Sequence, residues 1–341
     1  MKIGIIGAGR IGRLHAENIA RLVQSIEIVG ISDVNMTDEL KSWAKNLGIA
    51  LVTADPTELI NHPDIEAIIV CSSTSTHADF TIAAAKAGKH IFCEKPIDLS
   101  VKKGLEAINT AKQHKVKLQV GFNRRFDHNF KQVSDLTKAG KVGDVHVVKI
   151  TSRDPTPPNP AYVAVSGGIF LDMMIHDFDM ARFQANSEIV EVFAVGAVLV
   201  DPEIGKAGDI DTAIVTLKFA NGAIGVIDNS RQAVYGYDQR VEVFGSKGAA
   251  RAENDTPTRV SLSTVEGVTS DKPLYFFLER YKGAFVDEIS SFVEAIEKNC
   301  DVVVSGEDGL EDMVAALAAG KSLKEGRPVT IAEMKKELGV Y

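Results

Sequence analysis

Lys2-Ile3-Gly4-Ile5-Ile6-Gly7-Ala8-Gly9-Arg10-Ile11-Gly12 is the stretch whose reading decides the fold. Its first five residues are a short apolar run with β character. Gly7, Gly9 and Gly12 then make a Gly-x-Gly-x-x-Gly turn, and residues 13–23 carry Leu14, Ile19, Leu22 and Val23 at helical spacing. A glycine triad alone is a weak signal, and an ordinary strand-to-helix turn is the bland alternative. Placed after a buried strand and opening a helix, it reads as a dinucleotide turn. Gly7 serves the tight turn, Gly9 the approach of backbone to a pyrophosphate and Gly12 close helix–strand packing, while the helix start at Arg10 and Ile11 offers N–H donors to the anion.

Working outward, the second strand, Glu27–Ser32, stops at Asp33, 21 residues after Gly12. A carboxylate there can accept both hydroxyls of an adenosine ribose, although a lone Asp after a strand is also a common turn residue. A 2′-phosphate would meet a like charge, and Val34-Asn35 supplies no arginine, so NAD is expected over NADP. The alternation continues with a helix over 38–47, a strand over 67–71 before a helix over 77–87, a strand over 89–93 before a helix over 100–114, and a strand over 117–120. These strands are nearly all apolar, which fits a parallel sheet covered by helices on both faces. Residues 1–122 therefore read as a doubly wound α/β (Rossmann) domain. Residues 123–341 change texture. Helices are expected over 126–139, 176–184 and 285–298, between strands over 145–151, 189–200, 212–219, 223–230 and 239–244. Asn221-Gly222 marks a hairpin and residues 154–159 an irregular loop. This is an α+β domain on a large open, mostly antiparallel sheet.

Composition bounds the function. The 341 residues include 46 Asp plus Glu against 38 Lys plus Arg, a formal charge of 38 − 46 = −8, and basic residues run no longer than pairs. A nucleic-acid partner lacks the phosphate-neutralising patch it needs. Cys71, Cys93 and Cys300 form no Cys-x-x-Cys pair, so neither structural zinc nor a disulfide framework is expected, and no metal is assigned. No apolar run approaches the ~18 residues of a membrane span, and the N-terminus reaches glycine before a signal-peptide core could form. The expectation is a cytoplasmic protein.

Two segments concentrate chemistry in the remainder. Glu94-Lys95-Pro96 sits just past the strand over 89–93, on the carboxyl edge of the sheet where ligands of such folds bind. A lysine beside a nicotinamide can exchange a proton; a solvated turn lysine is the alternative. Asp172 and His176 are four apart, which on a helix puts them on one face about 6 Å apart along the axis. A carboxylate beside an imidazole among apolar neighbours suits proton handling. Metal ligation competes weakly, since one His is present and no third ligand is near in sequence.

In this order, Gly7-x-Gly9-x-x-Gly12, the run from Gly88 through Glu94-Lys95-Pro96 and Asp172-x-x-x-His176 resemble the Gfo/Idh/MocA family of NAD(P)-dependent sugar and polyol oxidoreductases. The resemblance covers essentially the whole chain. Within it, Gly121-Phe122-Asn123-Arg124-Arg125-Phe126-Asp127, Thr151-Ser152-Arg153-Asp154-Pro155, the segment from His176 to Arg182 and Tyr235-Gly236-Tyr237-Asp238-Gln239-Arg240 are most similar to inositol 2-dehydrogenases. It implies oxidation of myo-inositol to the 2-keto product, with scyllo-inositol or another cyclitol or aldose as the alternative substrate. His176 matches the general base, Lys95 the lysine that hydrogen-bonds the reacting polyol and Asp172 its relay partner. Arg125, Asp154, Tyr235 and Tyr281 are the further candidates for holding substrate hydroxyls. Some relatives carry an amide at the position of Asp154, and Tyr281 reads equally as a core tyrosine. Ser72, Thr74, His77 and Glu94 are expected near the cofactor, whereas His15 and His90 read as packed, hydrogen-bonded side chains. A catalytically silent dinucleotide sensor is the competing class; it would not need Lys95, Asp172 and His176 together. The resemblance implies a homotetramer, in keeping with strands too apolar to face water on both sides.

Overall fold

A computed structural model describes residues 1–340. The chain alternates β1 (Lys2–Ile6), α1 (Arg10–Leu22), β2 (Glu27–Ser32), α2 (Asp38–Asn46), β3 (Leu51–Thr53), α3 (Pro56–Ile60), β4 (Ala67–Val70), α4 (His77–Lys86), β5 (His90–Cys93), α5 (Val101–Gln113) and β6 (Leu118–Val120). The six strands are parallel throughout, in the order β3-β2-β1-β4-β5-β6. Order reverses between β1 and β4, and it is beyond the carboxyl ends of strands at such a reversal that doubly wound sheets bind ligands. Gly7 follows β1, Cys71-Ser72 follows β4 and Glu94 follows β5, so the sequence motifs share that edge. The apolar runs are buried on both faces, as Ile3, Ile5, Ile68, Ile69, Ile91 and Phe92 all show.

The chain divides into two compact units. The first takes in Met1–Asn123 together with Gly283–Glu311, a stretch that the sequence reading counts with the second domain. It returns because α11 (Lys282–Glu297, after the elements named below) places Ile289 and Phe292 in one core with Ile3, Ile5, Ile19 and Phe92.

Arg124–Lys282 and Asp312–Gly339 make the second unit. Its elements are α6 (His128–Lys138), β7 (Val145–Arg153), α7 (Pro160–Ser166), α8 (Ile175–Ala185), β8 (Ile189–Ala197), α9 (Pro202–Lys206), β9 (Thr212–Phe219), β10 (Ile224–Ser230), β11 (Asp238–Gly245), β12 (Gly248–Ala252), the hairpin β13 (Ser261–Thr264) and β14 (Gly267–Ser270), α10 (Phe277–Arg280), and, after α11, the end of α12 (Gly306–Glu325), β15 (Val329–Thr330) and α13 (Ile331–Leu338). Seven strands run in the order β12-β11-β7-β10-β9-β8-β15, with β7 and β10 parallel and every other pair antiparallel. Along β9 burial alternates: Ala213, Val215, Leu217 and Phe219 face inward and Ile214 outward. The β9–β10 turn is the expected one, with Gly222 at φ +88°.

Some elements differ from expectation. β8 ends at Ala197 because the Leu199 and Val200 amides leave the ladder for the Asp211 carboxylate, each at 2.8 Å. α12 carries no clear amphipathic stripe because it is buried on most sides, through Met313, Val314, Ala315, Ala316, Ala318 and Ala319.

Candidate active site

The first unit contributes a glycine turn whose backbone leaves no choice of residue at two positions. Gly7 sits at φ +99°, and a Cβ there would fall 2.4 Å from the Cys71 carbonyl oxygen; one on Gly12 would fall 1.9 Å from the Gly7 carbonyl oxygen. Both are therefore packing glycines. Gly9 has nothing within 4 Å of its would-be Cβ, so an open approach to backbone lies there. Helices α2, α3 and α5 are capped by the side chains of Thr37, Asp55 and Ser100, but α1, capped by Gly9, has no side-chain acceptor. Its leading N–H groups are thus left for an anion. Asp33 accepts from the Ala8 amide at 2.7 Å and the Asn35 amide at 2.8 Å, which ties the glycine turn to the end of β2 and fixes the carboxylate's place. These residues fit a dinucleotide: open backbone for a pyrophosphate and a fixed carboxylate for a ribose diol.

Around the same edge, the Ser72 and Thr76 hydroxyls hydrogen-bond at 2.7 Å and Thr74 opens the short turn Thr74–Thr76. His77, expected near the cofactor, is buried, with Nδ1 2.8 Å from the Pro96 carbonyl and Nε2 2.9 Å from the Ser72 carbonyl. It acts as a clasp between two loops. Lys95 precedes a cis peptide bond to Pro96 and is partly exposed. Glu94 turns its carboxylate inward, 2.7 Å from His15 Nε2.

The second unit holds Asp172 and His176. Gly167 and Gly168, at φ +90° and +78°, swing the chain out of α7 into a wide π-type turn, Ile169–Met173, and α8 begins at Ile175. The sequence reading puts Asp172 and His176 on one regular helix; the structure puts Asp172 in the wide turn and His176 in the first turn of α8. Tyr162 donates its hydroxyl to Asp172 Oδ1 at 2.7 Å, and Arg231 Nη1 donates to Oδ2 at 3.4 Å. Arg231 is 1% exposed and also stands 3.5 Å from Asp209, whose other oxygen accepts from the Ile169 amide at 3.2 Å. Neither Tyr162 nor Arg231 carries a motif, so pattern reading misses both.

Beneath this lies a buried ion pair. Arg124 Nη1 donates to Asp177 at 2.6 Å and Asn229 donates to the same carboxylate at 3.0 Å, which joins α8 to β10. Arg125, a candidate for a substrate hydroxyl, stands in a short helical turn, buried, paired with Asp179 at 2.6 Å and lying over Phe183. Tyr281 is likewise interior, 2% exposed, edge-on to Tyr237 and under the Arg280 guanidinium. Tyr235 is 39% exposed, donates to Asp238 at 2.6 Å and accepts from Arg153 at 3.0 Å.

Asp154 lies in the loop after β7. Burial pushes its carboxyl up to about 7, with Asp172 and Asp177 adding and Arg231 and Arg124 opposing. The group therefore changes charge at working pH. Its raised value makes its contribution to stability greatest below the ordinary carboxylate range and progressively lost as pH rises to about 7. An ionisation near pH 7 is expected in the wild-type kcat/KM profile and absent from Asp154→Asn. A variant profile that keeps the same inflection would show that another group causes it.

Residues 1–122 match an oxidoreductase family with an NAD-binding Rossmann fold, and residues 130–251 match the GFO/IDH/MocA C-terminal domain. The chain is 51% identical over 334 residues to the myo-inositol 2-dehydrogenase of Thermotoga maritima, covering 98% of this chain and 99% of that protein. It is 45% identical to the inositol 2-dehydrogenase of Rhizobium meliloti, over 97% and 99% of the two chains. A crystal structure of scyllo-inositol dehydrogenase from Lactobacillus casei with bound NAD(H) and scyllo-inositol matches with a TM-score of 0.89 at 34% identity, over 97% and 99% of the two chains. An NAD-binding Rossmann unit followed by this sheet-built second unit, matched over nearly its whole length, makes the chain a member of the Gfo/Idh/MocA family of oxidoreductases.

Proposed function

We propose that the chain oxidises myo-inositol at C2 to the 2-keto product with NAD. The observation that carries this reading is the full-length likeness to an enzyme named for that reaction, in a chain that keeps Lys95, Asp172 and His176. When bound, NAD accepts the hydride at nicotinamide C4. His176 takes the proton of the reacting hydroxyl through its imidazole. Lys95 donates a hydrogen bond to the same oxygen as negative charge gathers there. Asp172, its carboxylate held by Tyr162 and Arg231, is the relay carboxylate of this set. Asp154, and less directly Tyr235, hold further hydroxyls, while Arg125 and Tyr281 act on the substrate only through the packing that positions α8 and β11. A silent dinucleotide sensor has no use for this set.

Scyllo-inositol or another cyclitol or aldose is the second reading, supported by the Lactobacillus casei likeness and by a carboxyl at 154 that can donate or accept near neutral pH. NADH formation over a panel of inositol isomers and aldoses tests both. Myo-inositol is expected to give the highest kcat/KM; an aldose that outruns every inositol would overturn the assignment.

The second unit's sheet supports self-association. Val195, Ile214, Ile224 and Phe244 stand on strands of its open face at 46–54% exposure. A homotetramer built on that face is our reading, and sedimentation as a monomer at working concentration would contradict it. Among the described residues no helix is long and apolar enough to cross a membrane. The three cysteines are unpaired, with Cys71 and Cys93 buried and Cys300 exposed, which supports a reducing, cytoplasmic setting.

A further inference from the structure

The core of the first unit contains three titratable groups that the reaction does not use. His15 comes from α1, Glu94 from the end of β5 and Glu288 from α11. His15 Nε2 lies 2.7 Å from Glu94 Oε1 and 3.9 Å from Glu288 Oε1. His15 and Glu288 are fully buried and Glu94 is 8% exposed. Phe92 and Phe285 set their rings edge-on to the imidazole at 5.3 and 5.7 Å. Neither carboxyl oxygen of Glu288 has a hydrogen-bond partner. The other ionisable groups around the cluster are the thiols of Cys71 and Cys93, at the ends of β4 and β5; among the described residues no Lys or Arg offsets Glu288.

A second carboxylate in this apolar setting would be an uncompensated buried charge, which proteins avoid by neutralising the group. Burial, with Glu94 adding, holds the Glu288 carboxyl well above the usual carboxylate range. The cluster is also tightly walled. A Cβ on Gly121 would lie 3.0 Å from the Glu94 carboxyl, the Gly121 amide donates to the Cys93 carbonyl at 2.8 Å, and the Glu94 amide donates to the Val70 carbonyl at 3.0 Å. Lys95 is thus flanked by two anchored residues: Glu94, held by its side chain against His15, and Pro96, whose carbonyl meets His77 at 2.8 Å.

We propose that Glu288 is a positioning residue: its side chain, 3.9 Å from His15 Nε2, backs the imidazole that holds the Glu94 carboxyl and, through the Glu94 backbone, the direction of the Lys95 amine. The inference rests on Lys95 being the substrate-bonding lysine. Glu288→Gln preserves shape and neutrality; Glu288→Asp keeps the acid but withdraws it by one methylene. Glu288→Gln is expected to retain kcat within about twofold, and Glu288→Asp to lose about tenfold in kcat with KM for NAD within about twofold of wild type. Thermal midpoints from pH 5 to 9 give a second readout. A carboxyl whose value is raised in the folded state stabilises fully below the ordinary carboxylate range and loses that contribution as pH rises towards the folded value, so wild type declines more steeply than Glu288→Gln, in which Asp154 still contributes its own decline. Wild-type kcat in the Asp variant, loss of kcat in the Gln variant, or parallel midpoint slopes would each overturn the proposal. Lys95→Met is the control: turnover surviving there refutes the role of Lys95 alone, because the midpoint slopes still report whether Glu288 is neutral.

Discussion

His176→Ala is expected to lower kcat by about 10³-fold while the Kd for NAD stays within about twofold of wild type, since a positioned general base contributes roughly 10²–10⁴. The separation follows from where the residues sit. His176 belongs to the first turn of α8 in the second unit, whereas the glycine turn, Asp33 and the Ser72–His77 segment all belong to the first. Removing an imidazole from one unit leaves the backbone cradle of the other intact. Fluorescence titration with NAD alongside steady-state kinetics with myo-inositol measures both quantities on one preparation. Turnover within tenfold of wild type would remove His176 from the base role.

The second large effect concerns the cofactor. Asp33 holds one carboxylate oxygen to Ala8 and the other to Asn35, so it presents a fixed negative charge at the end of β2 that a 2′-phosphate would have to approach. Asp33→Ser with Val34→Arg removes that charge and supplies a cation on an 85% exposed side chain position. The kcat/KM ratio of NADP to NAD is expected to rise by about 10²-fold or more, two like charges near 4 Å at a protein surface being worth about 4 kcal/mol before screening. The Ala8 amide also loses its acceptor, so absolute turnover with NAD falls. An unchanged ratio would mean that the ribose end is recognised elsewhere.

The parallel sheet was legible because buried strands are written as apolar runs, and Gly7, Gly9 and Gly12 fix their own context. β3 and α3, at three and five residues, are too short for any periodicity to register. Asp172 and His176 were legible as a pair, but their geometry was not: a 3.6-residue period expects a regular helix, and the wide turn follows from Gly167-Gly168 and the Asp209 contact to the Ile169 amide. Arg231 was invisible because a contact across 59 residues of sequence leaves no local spacing, and Tyr162, ten residues from Asp172, because a lone tyrosine has no signature. The same reason hid the burial of Arg125 and Tyr281. Asp179, 54 positions away, and Gln239, 42 positions away, draw them inside, and only the fold brings those partners near. His15 and Glu94 were read separately, one as packed and one as cofactor-facing; their contact across 79 residues joins them with Glu288 in one buried cluster.

The most direct test of the central claim is to incubate the protein with NAD and myo-inositol carrying deuterium at C2 and to analyse the reduced cofactor by mass spectrometry. Hydride transfer from C2 predicts deuterium at nicotinamide C4 in each NADH formed, together with the 2-keto product. NADH that forms without label, or no NADH in a preparation that binds NAD, would contradict the account.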